Sequence, residues 1–363
     1  MPDLTPGVQP QISHLAPYQP GMPIEELARM HHLEPSTIIK LASNENPDGI
    51  SPVTQQAILD AHSGISRYPD GFLLRQALSK HYTIDESAIV LGNGSNDVLD
   101  LIARVFLGPD TNAISSQFAF IVYDLVTRIV NAQNIIVSAS DFGHDLHAMR
   151  AAITGQTRVV WIANPNNPTG TFLPYDQVEA FVAGVPKHVI VVLDEAYYEY
   201  LSPKNRVDTV QWLQKYPNLI LVRTFSKIYG LAGLRIGYAL ASSEVANLLN
   251  RVRQPFNVNH LGIMAAAAAL GDQTFVATSR ARNLVGIRQL TQAFDELGLA
   301  FLPAYGNFVT VAFPDAAETH QALLKQGIIV RPLAEYGMPD HLRITVGTPS
   351  DNERLIASLH SIL

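Results

Sequence analysis

The chain has 363 residues, 47% of them hydrophobic and 16% charged, enough apolar material for a large core over roughly two domains and too much for a disordered chain. With 25 basic against 32 acidic side chains, it lacks the positive surface that nucleic-acid phosphates or anionic lipid demand. Cysteine is absent, which removes disulfides, thiol nucleophiles and thiolate metal sites together and fits a reducing compartment.

In chain order, residues 1–22 are rich in Pro and Gly and read as an extended arm. The start Met1-Pro2-Asp3-Leu4-Thr5-Pro6 has neither a basic n-region nor an apolar h-region. No apolar run approaches the roughly 18 residues a membrane span needs, so the expected setting is the cytoplasm, without membrane or nucleic-acid partners. A helical pattern covers Pro23 to His32, and the whole of 1–42 is expected to pack on the small domain or on a partner subunit. From 43 to 260, strand-like runs alternate with helical patterns: Ala88–Leu91, Asn112–Ile114, Ile135–Val137, Arg158–Ile162, Val189–Leu193, Leu219–Val222 and Ile236–Leu240. This alternation predicts an α/β fold with a mostly parallel, doubly wound sheet. Several runs are β-branched throughout, the pattern of strands covered on both faces. Beyond the Ala-rich helix Met264–Leu270, a long helix near Thr274–Leu297 and strands near Val309–Phe313 and Leu342–Val346 predict a smaller α+β domain over 261–363.

The chemistry-bearing residues fall at the carboxyl ends of the predicted strands, where an open α/β sheet forms its ligand crevice. The first such end runs through Gly92-Asn93-Gly94-Ser95-Asn96-Asp97 into a helix, a start whose free N–H groups suit an anion. Its glycine spacing is not G-x-G-x-x-G, and it lies far from the N-terminus, which excludes the dinucleotide reading. The next end is the turn Asn164-Pro165-Asn166-Asn167-Pro168-Thr169-Gly170, and the next is Leu193-Asp194-Glu195-Ala196-Tyr197. A carboxylate emerging from an apolar strand needs a partner, so Asp194 is expected to face a cation. The last brings Thr224, Ser226 and Lys227, with Arg235 eight residues on. A lysine amine forms Schiff bases when its pKa is lowered, and Arg235 is the expected cause of the lowering. Taken singly, each of these is an ordinary loop. Together they suit one ligand, pyridoxal 5′-phosphate (PLP): its aldehyde for Lys227, its ring nitrogen for Asp194, its phosphate for the helix start at Gly94–Asp97 with Ser226 and Arg235.

These residues resemble the class I/II aminotransferases of the fold type I PLP-dependent transferases, over essentially the whole chain. Within that family the match is closest to the branch acting on histidinol phosphate. It is carried by Leu41-Ala42-Ser43-Asn44-Glu45-Asn46-Pro47, Arg67-Tyr68-Pro69-Asp70, Asn166-Asn167-Pro168-Thr169-Gly170, Asp194-Glu195-Ala196-Tyr197, the Lys227 and Arg235 motif, and Leu342-Arg343-Ile344-Thr345-Val346-Gly347. The resemblance implies that Lys227 is the Schiff-base lysine and proton shuttle. It implies that Asp194 holds the pyridinium, that Asn167 and Tyr197 bond the cofactor's ring oxygen, and that Phe120 stacks on the ring. Ser95, Asn96, Thr224, Ser226 and Arg235 then form the phosphate cup, and Tyr68 reaches the cofactor of a neighbouring subunit in a homodimer.

Two departures stand out: Gly94-Ser95-Asn96-Asp97 lacks the small-then-acidic pattern of many relatives, and Gln117-Phe118-Ala119-Phe120-Ile121-Val122-Tyr123 lacks the usual proline. Arg331, Arg343 and Tyr18 are the expected substrate residues, together with Asn167. Arg343 resembles the arginine that grips a carboxylate by a two-point fork. With Arg331 it would take the phosphate of histidinol phosphate in one half-reaction and glutamate or 2-oxoglutarate in the other. Aromatic amino-acid transamination and phosphothreonine decarboxylation are the alternatives, since relatives of both kinds share these motifs. A catalytically dead regulator is disfavoured for want of a DNA-binding segment. His144 and His147 beside Asp141 read as a solvated turn and not as a metal site, and Trp161 and Trp212 as core.

Overall fold

A computed structural model describes residues 7–13, 15, 17 and 21–363. Eleven strands occur among them: β1 (Ile39–Leu41), β2 (Ile89–Gly92), β3 (Asn112–Ser116), β4 (Gln133–Val137), β5 (Thr157–Ala163), β6 (Ile190–Asp194), β7 (Leu219–Thr224), β8 (Gly237–Ala241), β9 (Phe308–Ala312), β10 (Ile328–Pro332) and β11 (His341–Thr345). Seven build a sheet in the order β2-β8-β7-β6-β5-β3-β4. Only β8 runs antiparallel to its neighbours there.

The unbroken apolar runs are explained by burial on both faces. Along β6, Val191 and Leu193 pack into one core cluster, and Ile190 and Val192 into the cluster on the opposite face. The same alternation along β7 sends Leu219 and Leu221 one way and Ile220 and Val222 the other. Period-2 geometry then dictates what happens at the strand ends. Asp194 and Thr224 continue the second face and Glu195 and Arg223 the first.

The remaining four strands form a small sheet, β1-β10-β11-β9. β1, from the N-terminal region, pairs in parallel with β10, Lys40 opposite Ile329. Neither strand stands out in the sequence, because β1 has only three residues and β10 only five. The helices Gln273–Glu296 and Pro349–Ile362 cover this sheet through Leu290, Phe294, Leu355 and Leu359.

The helix His260–Gly271 is not part of that layer. Its Ala265, Ala266, Ala269 and Leu270 join the large-sheet core with Leu74 and Leu78, and a Cβ on Gly262 would fall 2.3 Å from Ile236 Cδ1. The change of core therefore falls inside Gln273–Glu296, which gives Val276 to the large core and Leu290 and Phe294 to the small one. That is later than the boundary at 260 drawn from the sequence pattern, because polyalanine marks close packing and not which sheet is packed. Among the described residues, no single helix is long and apolar enough to cross a membrane.

Candidate active site

The carboxyl ends of β5, β6 and β7 meet the small sheet around a cavity of about 210 Å³. Its walls include Ser95, Asn96, Phe120, Asn167, Asp194, Tyr197, Thr224, Ser226, Lys227, Arg235, Arg331 and Arg343. Twelve residues singled out from seven separate stretches of sequence thus converge on one space. Strand register accounts for part of this: Ala163 stands opposite Asp194, Asp194 opposite Val222, and Thr224 opposite Gly237.

Asp194 is 5% exposed. Its Oδ2 accepts from the Tyr123 hydroxyl at 2.8 Å and its Oδ1 from the Ala196 N–H at 3.1 Å. No ion pair to Asp194 occurs among the described residues, so its partners within the protein are a phenol and an amide. Burial outweighs both bonds and pushes the carboxyl up to about 6. Tyr123 escaped the sequence reading because its segment was read only for the ring-stacking residue. Its ring lies 5.3 Å from that of Trp161 and parallel to it.

Lys227 donates through Nζ to the Ser43 carbonyl at 3.1 Å, and the ammonium stands 5.7 Å from the Tyr197 ring centroid. Its pKa is lowered to about 7, first by burial and next by Arg343; Arg235 contributes less. The neighbour in sequence does lower the amine's pKa, but Arg343, on the small sheet, acts more strongly. Tyr197 accepts from Asn44 Nδ2 at 2.8 Å, and burial pushes its phenol up to about 12.

The expected phosphate cup lies where β8 presses on a helix start. A Cβ on Gly237 would sit 2.3 Å from Ser95 N, and one on Gly94 2.3 Å from Arg235 Nη2. Gly94 has φ +82° and caps helix Ser95–Phe106 without a side-chain bond, so the first-turn N–H groups remain directed at the cavity. Arg235, itself at φ 56°, donates to Ala232 O at 2.9 Å and Ser226 Oγ at 3.4 Å. Asp97 turns away from the cup to accept from Asn93 N and Asn257 Nδ2.

On the small sheet, Arg331 and Arg343 are directly opposed across the antiparallel β10–β11 pair. Side chains at such positions share a face, and like charges there repel. Arg343 donates to Asn167 Oδ1 and to Ala42 O, and Arg331 to Glu335 Oε2 at 2.9 Å.

Tyr68 does not line the cavity. It is 82% exposed and stacks at 4.5 Å on Phe256, itself 55% exposed. Tyr18 lies outside the described residues. His144, read as solvated, is buried with Nε2 2.9 Å from Ala163 O, and burial lowers its pKa to about 4. Trp161 and Trp212 are buried.

A buried carboxylate pushed toward neutrality, a buried amine near neutral pKa and an uncapped helix start beside an arginine together suit PLP, whose pyridinium, aldehyde and phosphate answer them in turn. The fold and this site define an aminotransferase of the PLP type, and residues 36–359 match the family described as aminotransferase class I and II; the chain belongs to that family. Its relatives include histidinol-phosphate aminotransferase 1 of Dechloromonas aromatica, 56% identical with 96% of each chain covered. Another is histidinol-phosphate aminotransferase 1 of Thiobacillus denitrificans, 53% identical over 98% of this chain and 93% of that one. Among solved structures, histidinol-phosphate aminotransferase of Sinorhizobium meliloti in complex with pyridoxal-5′-phosphate superposes with a TM-score of 0.90. It is 29% identical over 98% of this chain and 97% of the other.

Proposed function

We propose that this chain is a PLP-dependent transaminase exchanging an amino group between L-histidinol phosphate and 2-oxoglutarate, a step of histidine biosynthesis. The observation that carries the reading is the opposed pair Arg331 and Arg343 on one face of β10–β11, inside the Lys227 cavity. Two guanidinium groups held side by side are relieved by a strongly anionic group, and a phosphate supplies one. Glutamate lacks a phosphate but brings two carboxylates, so one arginine pair serves both half-reactions.

When bound, the cofactor supplies an aldehyde for amine capture and an electron-withdrawing pyridinium. The protein's part follows from its own groups. Asp194 would accept a hydrogen bond from the protonated ring nitrogen, and a cation beside it would favour the ionised carboxylate. Lys227, lowered by burial and Arg343, accepts and returns a proton at the substrate carbon that carries the nitrogen. Asn167 and Tyr197 would hold the cofactor's ring oxygen, Phe120 would lie against the ring, and Ser95, Asn96, Thr224, Ser226 and Arg235 would hold the phosphate.

We further propose that the active unit is a homodimer. Tyr68 and Phe256 line an exposed groove with Ile65, and Asn93 places this groove next to the Gly94 turn. A second copy seated there brings Tyr68 to its neighbour's phosphate cup. The packing of the region 1–42 on the small domain belongs to the same reading and is supported by the β1–β10 pairing.

The test compares kcat/KM for histidinol phosphate, phenylalanine and phosphothreonine while carbon dioxide release is followed. A dominant rate on histidinol phosphate without carbon dioxide is expected. Dominance of phenylalanine, or release of carbon dioxide from phosphothreonine, would sink the substrate assignment.

A further inference from the structure

Asn44 is 1% exposed and holds a left-handed backbone, φ 55°, at the junction of β1's strand end with the cavity. Four bonds fix it. Its N–H donates to Thr345 Oγ1 at 3.0 Å, and the Thr345 hydroxyl donates to its Oδ1 at 3.0 Å. Asn307 Nδ2 donates to its carbonyl at 3.0 Å, and its own Nδ2 donates to the Tyr197 hydroxyl oxygen at 2.8 Å. Thr345 ends β11 and Asn307 immediately precedes β9, so the small sheet holds the amide that meets a phenol of the large domain. A phenol has one proton to give. With the amide donating to its oxygen, that proton remains for another acceptor.

We propose that Asn44 is a positioning residue for Tyr197: its amide occupies the phenol oxygen as a donor, reserving the phenol's proton for the cofactor's ring oxygen, and the small sheet sets this through Thr345 and Asn307. This rests on the role given to Tyr197 above. Asparagine is among the few residues that adopt the left-handed region at little cost, which lets the backbone at 44 turn and aim this amide at the phenol. The same amide turned over would accept from Tyr197 and take its proton away from the cofactor. Thr345, as the donor to Oδ1, is the group that prevents the turn.

The test titrates the visible absorbance of the PLP-loaded enzyme against pH, which reports how well the ring oxygen is stabilised as an anion. The charged and titratable groups around Tyr197 include Arg343, Asp194, Lys227, Tyr336, Tyr123 and Tyr200, and none is altered by the variants. Tyr197→Phe is expected to raise the titration midpoint by about one pH unit, the size of one hydrogen bond to an anion. Asn44→Gly keeps the left-handed backbone while deleting the amide, and is expected to raise the midpoint by a few tenths of a unit. It adds nothing in the Tyr197→Phe background. Thr345→Val moves the midpoint in the same direction as Asn44→Gly. If Tyr197→Phe leaves the midpoint in place, the reading of Tyr197 fails. If Tyr197→Phe moves it but Asn44→Gly does not, or if Asn44→Gly still moves it in the Tyr197→Phe background, the inference about Asn44 fails by itself.

Discussion

Asp194 and Glu195 are adjacent, both buried, and treated in opposite ways by the two faces of the large sheet. On the face away from the cavity, Glu195 Oε2 accepts from Arg223 Nη2 at 2.8 Å and Nε at 3.0 Å. Thr209 and Tyr175 donate to the same carboxylate, and the Arg223 guanidinium also lies 3.9 Å from the Tyr198 ring centroid. On the cavity face, Asp194 has one phenol and one amide, and its pKa climbs to about 6. The fully bonded pair fixes the ends of β6 and β7 from behind. The half-bonded carboxylate in front is an incomplete arrangement that a cationic ring nitrogen completes.

The largest effect expected lies on the front face. Lys227→Ala should reduce kcat by at least about 10³-fold and abolish the visible absorbance of the loaded enzyme, with little change in apo-protein melting. Retention of a borohydride-reducible cofactor adduct in that variant would contradict the assignment of Lys227. On the back face the loss should appear as stability. Arg223→Met leaves Glu195 charged and buried without its partner, and chemical denaturation should show a loss of about 3–5 kcal/mol. An unchanged denaturation midpoint would mean that the two faces do not differ as described.

Asp194→Asn should separate the faces more finely, because it removes a carboxylate that burial disfavours. In apo protein the folded carboxyl titrates above its ordinary value, so the contribution of Asp194 to stability is greatest below about pH 4 and declines as pH rises through about 6. Asparagine should remove that decline, gaining about 2 kcal/mol at neutral pH while cofactor affinity falls. Denaturation at pH 4 and pH 8 checks the sign. The smallest effect belongs to Tyr123→Phe. Loss of its bond raises the Asp194 carboxyl further, so the acid limb of PLP affinity in apo protein should move upward by a few tenths of a pH unit. A limb that stays in place would show that Tyr123 packs on Trp161 without tuning its neighbour.

How much was legible in the sequence follows from the range of each interaction. The strands of the large sheet are readable because burial on both faces leaves unbroken β-branched runs. The loops at their ends are readable because chemistry concentrates there. The Glu195–Arg223 pair was missed since its partners sit on different strands, and no local pattern tells which way each side chain turns. Asn44 was noted only as part of a motif, because its partners Thr345 and Tyr197 lie 301 and 153 residues away. The Tyr123 bond to Asp194 is not legible in the sequence, because it is set by packing of helix Val122–Ile129 on β5. Arg343 as the chief charge acting on Lys227 required the β10–β11 register, which the sequence does not display.

The helix Gln273–Glu296 spans about 36 Å at 1.5 Å per residue, with its first turns rooted in one core and its last in the other. At its middle, Gly286 leaves room for Val346, whose Cγ1 would lie 2.3 Å from an added Cβ. Neither core can melt without stripping half of this rod of its packing, and a helix deprived of packing on one half is marginal in water. The two layers are thereby joined into a single cooperative unit, so heating should produce one calorimetric transition in place of two, with the catalytic pocket and its substrate-binding sheet lost together.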